Sequence, residues 1–442
     1  WTLGDIVDYQ MIAALSFLEQ GARFRQHYVM GRWQMASETI ARGLDEGPGA
    51  YVIPIDQDDP IAAAELADKL ILQGVEVHRT TESFSAVPET DVWWTPADGT
   101  MRVPEWQREA MNPSGDEDAE DSAGDEDVEE SAGDEDAEGS AGDPDAPVGP
   151  ARSAPDAEAR DFPAGSWVVF GAQPGRAAVL DLLEPQNRRL QREWPDGPYV
   201  RSYDGAAYTM PMQMGVQAIR VDADAVGAVE RAEGARFVAP EVPTAESWYA
   251  FSARVTRNYQ TVNWLLGAGV PVSRAESANG PVFVVPADAT RGREMLVQIS
   301  AEIGTEVFAD PADLTDVIAQ QPSRVGVYQG WASSMDEGWT RLVLEEYDFA
   351  YSSLSNDDMR RENLRDFLDV IVIPSEIPLT RLIEGSTSDQ TPPEYRGGIG
   401  EDGVENLKAF VRGGGTLVTF DRADAVVLEH FGVPVRNAVE GM

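Results

Sequence analysis

The chain has 442 residues, of which 42% are hydrophobic, and this is enough apolar material for two or three domains with cores of their own. Acidic residues outnumber basic ones by 77 to 34, and the net charge of −43 makes nucleic acid and anionic membrane surfaces poor partners, because both require a basic face. Cysteine is absent, which excludes disulfides, thiolate metal sites and cysteine nucleophiles, and no apolar run reaches the ~18 residues of a membrane span.

Segment 1–46 has apolar residues at helical spacing. They are Ile6, Val7, Met11, Leu15 and Leu18. This pattern predicts one long helix of about forty residues. Because one side of such a helix is too apolar to face water, we expect it to cover another surface, part of which lies upstream of Trp1.

Residues 47–112 are the first part of a predicted α/β middle region. In "AYVIPIDQDDPIAAAELADKLILQGVEVHRT" an apolar strand ends at Pro54, a helix spans about Pro60 to Gln73, and a second strand holds Val75 to His78. A strand, a helix and a strand in this order form a βαβ unit, which predicts a parallel sheet.

Residues 113–162 contain three nine-residue copies, "GDEDAEDSA", "GDEDVEESA" and "GDEDAEGSA", between Gly115 and Ala141. Residues 116–145 carry sixteen carboxylates and no basic residue, so they cannot bury enough apolar area to offset the entropy lost on ordering. We therefore predict a disordered, solvated linker. Specific calcium binding is the alternative, but the glycine spacing matches neither an EF-hand loop nor the nonapeptide calcium repeat.

Residues 163–320 continue the α/β middle region, with strand–helix units that begin at Ser166 and at Pro281. In the second unit "FVVPAD…GTEV" is similar to "YVIPID…GVEV" of the first α/β segment, which predicts two related lobes. Residues 321–442 have the clearest alternation of strands and helices, and this indicates a doubly wound, flavodoxin-like sheet. The predicted fold class is therefore α/β.

Histidines and tryptophans are the first candidates for a site. His27, His78 and His430 lie in separate predicted elements without metal-ligand spacing, so they are interpreted as ordinary histidines rather than as a zinc site. The Trp93–Trp94 pair and the stretch "SWYAF" at 247–251 are interpreted as lids on a core, with an aromatic binding surface as the alternative.

A glycine motif and an acidic pair are the next candidates. Gly398, Gly400 and Gly403 match GxGxxG, but a dinucleotide loop must follow a strand directly, so we predict a loop with a helix start. Asp336 and Glu337, between two tryptophans, could act as paired carboxylates. At the start of a helix the favoured roles are an N-cap for Asp336 and a favourable interaction with the helix dipole for Glu337.

Several stretches together resemble a known family. "DIVDYQ", "AYVIPIDQDDPIAAAELADKL", "AGSWVVFGAQPGRAAVLDLLEPQ", "AAYTMPMQMGV" and "VGVYQGWASSMDEGWTRLVLEEYDF" are similar to the region downstream of the catalytic domain in large bacterial zinc carboxypeptidases of the carboxypeptidase A-like superfamily. "YRGGIGEDGVENLKAFVRGGGTLVTFD" is similar to their C-terminal domain, which resembles the class I glutamine amidotransferase fold.

The carboxypeptidase resemblance implies a zinc ion held by two histidines and a glutamate, with a second glutamate as general base. This chain has no counterpart of these residues, so the resemblance places the zinc site before Trp1 and makes the chain an internal fragment. No catalytic, cofactor-binding or metal-binding residue is assigned to it. The implied parent is exported to the periplasm or secreted, and it meets its peptide substrate through the upstream domain.

The amidotransferase resemblance implies a cysteine at the corner between the strand "TLVTF" and the next helix. The residue at that corner is Asp421, for which we predict a helix N-cap with a local ion pair to Arg422. The chain is thus predicted to be the inactive C-terminal part of a zinc metallocarboxypeptidase. The alternatives are a stand-alone binding or scaffold protein, and an amidase-like enzyme that uses Asp421.

Overall fold

The computed structural model describes residues 1–89, 158–184, 194, 197, 209–332, 334–375 and 377–437. Its class is α/β, as predicted. The chain divides into two compact units, one of residues 1–189 and 202–237, the other of residues 190–201 and 238–442. Trp93–Trp94 and most of the acidic segment lie outside the described residues. Within the described part of the chain no helix combines the length and apolarity that crossing a membrane requires.

Two helices occupy the segment predicted as one. They are α1 (Leu3–Arg23) and α2 (Arg25–Asp45), and Phe24 between them has φ −107° and ψ 22°. Helical hydrogen bonding continues across this distortion, because the backbone N–H of Phe24 donates to Gln20 and that of Tyr28 donates to Phe24. No residue of α1 is buried, so its apolar side chains remain exposed.

The remainder of the first unit is built on a five-stranded sheet. Its elements are β1 (Ala50–Ile53), α3 (Pro60–Leu72), β2 (Val77–Thr80), β3 (Phe84–Ala86), β4 (Arg160–Phe162), β5 (Trp167–Phe170), α4 (Arg176–Leu183), α5 (Met210–Met214), β6 (Ile219–Val221) and β7 (Val229–Arg231). The strand order is β6-β1-β5-β2-β7. The parallel sheet predicted here is wrong, because β5 lies between β1 and β2 and pairs antiparallel with both. Helical and strand periodicity does not reveal such a split βαβ unit.

The strands β3 and β4 flank the acidic segment and pair antiparallel, with Phe84 opposite Phe162. These two rings stack with centroids 5.1 Å apart, and Phe162 is fully buried. The predicted disordered segment therefore extended too far at its end, since Arg160–Phe162 form a strand that contributes to the core. The end of β3 and the start of β4 are adjacent, with Ala86 opposite Arg160.

The second unit begins with another five-stranded antiparallel sheet, ordered β11-β8-β10-β9-β12. Its elements are β8 (Trp248–Ser252), α6 (Asn258–Gly267), β9 (Ser273–Ser277), β10 (Gly280–Pro286), α7 (Gly292–Ile303), β11 (Phe308–Ala309) and β12 (Thr315–Ala319). In each sheet, four strands numbered in chain order lie in the spatial order 4-1-3-2. These are β1, β2, β5 and β6 in the first sheet and β8, β9, β10 and β11 in the second. A fifth strand, β7 or β12, pairs with strand 2 of its sheet. The two sheets thus share one ferredoxin-like topology, βαββαβ.

The correspondence between the two sheets differs from the predicted one. "YVIPID" contains the first strand of its sheet, whereas "FVVPAD" contains the third. The matching segments are instead the turns from α3 to β2 and from α6 to β9, "LILQGVEVHR" and "LLGAGVPVSR". Gly74 and Gly269 end these helices with φ of 82° and 74°. The backbone N–H of Val75 donates to the carbonyl of Leu70 at 3.0 Å, and in the same way that of Val270 donates to Leu265 at 2.9 Å. Positive φ favours glycine at such a C-cap.

The last part of the chain is a four-stranded parallel sheet ordered β14-β13-β15-β16. Its elements are β13 (Val325–Tyr328), α8 (Met335–Glu346), β14 (Tyr351–Leu354), α9 (Asn356–Met359), β15 (Val370–Ile373), α10 (Leu379–Ile383), α11 (Gly400–Arg412), β16 (Thr416–Thr419) and α12 (Asp424–His430). This is the 2-1-3-4 order of a flavodoxin-like sheet. Helices α9 to α12 cover one face, where Ile371, Leu407 and Phe410 are buried.

Candidate functional site

A cleft of about 1070 Å³ lies at the carboxyl ends of β13, β15 and β16. The loops after these strands line it, with Gly330–Trp331 after β13, Ser375 and Arg381 after β15, and Asp421–Arg422 after β16. The start of α8 and part of the 384–395 loop complete the wall. In open α/β sheets the crevice outside the carboxyl ends of the strands is the usual ligand site.

Asp421 stands where β16 turns into the following helical segment, and its backbone is left-handed, with φ 49°. Aspartate tolerates this conformation better than most residues, at a cost of about 1 kcal/mol. Its exposed carboxylate lines the cleft and accepts a hydrogen bond from the Ser375 hydroxyl, with 3.0 Å between Oγ and Oδ2. The corner between strand and helix therefore has the sharp geometry of a nucleophile elbow.

The role predicted for Asp421 is wrong in two respects. It is not an N-cap, because a capping residue has extended backbone and Asp421 is left-handed; the residue before α12 is Ala423, which makes no side-chain cap. Among the described residues it also makes no ion pair with Arg422, and Thr419 instead donates to Asp424 at 2.6 Å to brace the corner.

The floor of the cleft is a hydrogen-bonded chain of three residues. The hydroxyl of Tyr328, at the end of β13, donates to Asn356 Oδ1 at 2.6 Å, and Asn356 Nδ2 donates to the carbonyl of Tyr395 at 2.6 Å. Tyr328 and Asn356 are both buried. Burial raises the pKa of Tyr328 to about 12, so the phenol remains neutral and serves as a donor. This chain fixes the backbone at Tyr395 over the sheet.

The acidic pair considered from the sequence is divided by the structure. Asp336 lines the cleft, as does Trp331, whose ring centroid lies 5.7 Å from that of Tyr395. Glu337 is instead buried against Arg341, with 3.2 Å between Nη1 and Oε1. The predicted cap at Asp336 is wrong: Ser334 is the N-cap, and its hydroxyl accepts from the backbone N–H of Glu337 at 3.2 Å.

Four charged side chains of the cleft have no hydrogen-bond or ion-pair partner among the residues that the structure describes. Arg381, Arg422, Asp336 and Glu384 all line it, yet within the part of the chain that the structure describes none of their side chains makes an ion pair or a hydrogen bond. Two are donors only and two are acceptors only. The cleft thus presents charges of both signs to a ligand.

The glycine motif allows close packing between two backbone segments beside the cleft. The prediction of a loop followed by a helix start is confirmed, since α11 begins at Gly400. Gly398 has φ 56°, and a Cβ there would lie 2.2 Å from the carbonyl oxygen of Ile383. The glycine therefore permits this loop to touch the end of α10, which carries Arg381.

The three histidines lie in separate elements of the fold. His27 lies in α2, His78 in β2 and His430 at the end of α12, as expected for three separate elements. Over the described ranges no three side chains of histidine, aspartate or glutamate are grouped so that they could hold a metal ion.

Sequence reasoning missed Ser375, Arg381, Asn356 and Tyr395 as components of the cleft. They lie in loops or in short helices, where no periodicity marks them. The signal that would have found Ser375 and Arg381 is their position just after the predicted strand "DVIVIP", at the carboxyl edge of a parallel sheet.

The residues of the cleft and their geometry are the basis for its interpretation. No family model, no curated protein and no solved structure matches this chain.

Proposed function

We propose that this chain is the non-catalytic C-terminal part of a bacterial zinc metallocarboxypeptidase, and that its parallel-sheet domain binds a ligand without turning it over. The observation that carries the second statement is Asp421 in the elbow position. The cleft has the placement and the corner of a catalytic site, while the residue at the corner is a carboxylate with φ 49°.

The chemistry of the corner supports binding without turnover. Acyl transfer at such an elbow needs an activated nucleophile and a base within hydrogen-bond reach. The chain contains no thiol, and the described partner of the Asp421 carboxylate is the hydroxyl of Ser375, which cannot act as a base at neutral pH. None of the three histidines lines the cleft. We therefore assign the elbow a structural role in shaping a binding site.

The sequence resemblance supports the first statement. In the proposed parent, zinc-activated water hydrolyses C-terminal peptide bonds in an upstream domain, in the periplasm or outside the cell. In this proposal the peptide substrate and the zinc belong to that domain, as the resemblance implies. The present chain supplies ligand contact beside it.

Two experiments test these statements separately. The purified chain, supplied with zinc, is assayed with N-blocked dipeptides and with glutamine, and we expect no hydrolysis; turnover that Asp421→Asn abolishes would establish an amidase-like enzyme instead. The reading frame upstream of Trp1 is then sequenced, and we expect an HxxE motif followed by a later histidine. An upstream region without these residues would favour the stand-alone binding protein.

A further inference from the structure

The polar groups of the cleft restrict the class of ligand. Guanidinium groups only donate hydrogen bonds and carboxylates only accept them, and the unpaired side chains Arg381, Arg422, Asp336 and Glu384 supply both kinds. A hydroxyl group both donates and accepts. A ligand with several hydroxyls can therefore satisfy both the donors and the acceptors of this cleft, without carrying a charge of its own.

The charge of the cleft disfavours an ionic ligand. Among the residues that the structure describes, three carboxylates line it, those of Asp336, Glu384 and Asp421, against the two guanidinium groups of Arg381 and Arg422. The whole chain has a net charge of −43, so an anion is repelled both at long range and inside the cleft. A cation is drawn to the chain but must approach two unpaired arginines. A neutral ligand avoids both penalties.

The aromatic side chains supply a flat apolar surface beside these polar groups. Trp331 is 58% exposed although it lines the cleft, and its ring is inclined at 43° to that of Tyr395. An exposed indole face carries partial negative charge, and the C–H groups on one face of a sugar ring are its natural complement.

We propose that this cleft binds a neutral saccharide, with one sugar ring packed on Trp331 and its hydroxyls bonded to Arg381, Arg422, Asp336 and Glu384. The proposal rests on the proposed function, namely that the cleft binds without turnover. It adds the chemical class of the ligand.

The test is calorimetric titration of the full chain with three neutral trisaccharides, maltotriose, cellotriose and N,N′,N″-triacetylchitotriose. Glycylglycine serves as the zwitterionic probe and citrate as the anionic one. We expect binding of at least one trisaccharide and of neither small ion. Trp331→Ala should weaken that binding about tenfold, as the loss of an aromatic anchor does. Trp339→Ala is the matched control, because Trp339 is 63% exposed and does not line the cleft.

A second pair of variants tests the polar contacts. Arg381→Gln should weaken trisaccharide binding about fivefold through the loss of a charged donor. Arg412→Gln, at the end of α11 and outside the cleft, should change it less than twofold. Circular dichroism of each variant verifies folding.

The possible outcomes are distinguishable. Binding of glycylglycine or citrate but of no trisaccharide would overturn the saccharide assignment and leave a binding cleft in place. Trisaccharide binding that Trp331→Ala and Trp339→Ala affect equally would overturn the location. Absence of binding by all five probes overturns the inference, whereas the proposed function is decided by the hydrolysis assay.

Discussion

Tyr328→Phe isolates the contribution of the buried hydrogen bond beneath the cleft. The change removes one hydroxyl and leaves Asn356 Oδ1 without the donor that now lies 2.6 Å away. Tyr328 is 1% exposed and Asn356 is 3% exposed, so both side chains are shielded from bulk water although they line the floor of the cleft. A buried acceptor left unsatisfied costs about 1–3 kcal/mol, and we expect the free energy of unfolding of the parallel-sheet domain to fall by that amount.

The control for this prediction is Tyr351→Phe. The hydroxyl of Tyr351 also donates over 2.6 Å, to Glu345, but at the surface. Water replaces the partner there, and we expect a loss below about 1 kcal/mol. Urea unfolding followed by circular dichroism gives both values; for a slope of about 2 kcal/mol per molar urea, Tyr328→Phe should move the midpoint by roughly 0.5–1.5 M. Equal shifts for the two variants would refute the reasoning, because it attributes the larger loss for Tyr328→Phe to burial.

Three further predictions concern other parts of the fold. Gly326→Ala in β13 should destabilise by about 1–3 kcal/mol in urea unfolding, because its Cβ would lie 2.4 Å from Leu354 Cδ1, whereas Gly338→Ala on α8 meets no atom within 4 Å and should be neutral or stabilising. Replacement of residues 90–157 by a short Gly–Ser linker should leave the melting temperature of the first unit unchanged, because β3 and β4 already hold the two chain ends together; a large fall would contradict this. Hydrogen bonds from Arg324 lower the pKa of Asp369 below its ordinary 3.8, so this pair stabilises the fold above about pH 4 and loses that contribution as the pH falls further; Asp369→Asn should remove this part of the acid dependence in unfolding measured from pH 5 to pH 2.

The order of strands and helices could be predicted from the sequence, but the pairing of strands could not. The pattern of "AYVIPIDQDDPIAAAELADKLILQGVEVHRT" is the same whether β1 and β2 are neighbours or are separated by one strand. The arrangement is determined by β5, which follows the acidic segment in the sequence and pairs with both β1 and β2. Pairing between strands so far apart in the sequence cannot be read from the local pattern of residues. A parallel sheet was therefore predicted correctly only in the C-terminal part of the chain. There each helix connects a strand to its neighbour in the sheet or to the next strand but one.

At Asp421, too, the sequence predicted the local structure but not the contacts of the residue. Its sequence position between "TLVTF" and a helix was sufficient to predict the turn. Aspartate is common both as an N-cap and in the left-handed conformation, so the residue type could not choose between them. The hydroxyl of Ser375, in the loop after β15, is the partner that its carboxylate meets, and that contact depends on two strands lying side by side.

The cleft is also tied to the antiparallel sheet of its own unit. Helix α8 begins at the cleft, and its other end is held by α6 of that sheet. Gln260 Nε2 and Asn263 Nδ2 donate to the carbonyls of Glu346 and Tyr347, at 3.1 and 2.8 Å, and Trp264 Nε1 donates to Asp348 at 2.6 Å. These donors satisfy carbonyls that the end of a helix otherwise leaves exposed. The position of α8, and with it that of Asp336 at the cleft, therefore depends on side chains of α6, a helix that does not itself line the cleft.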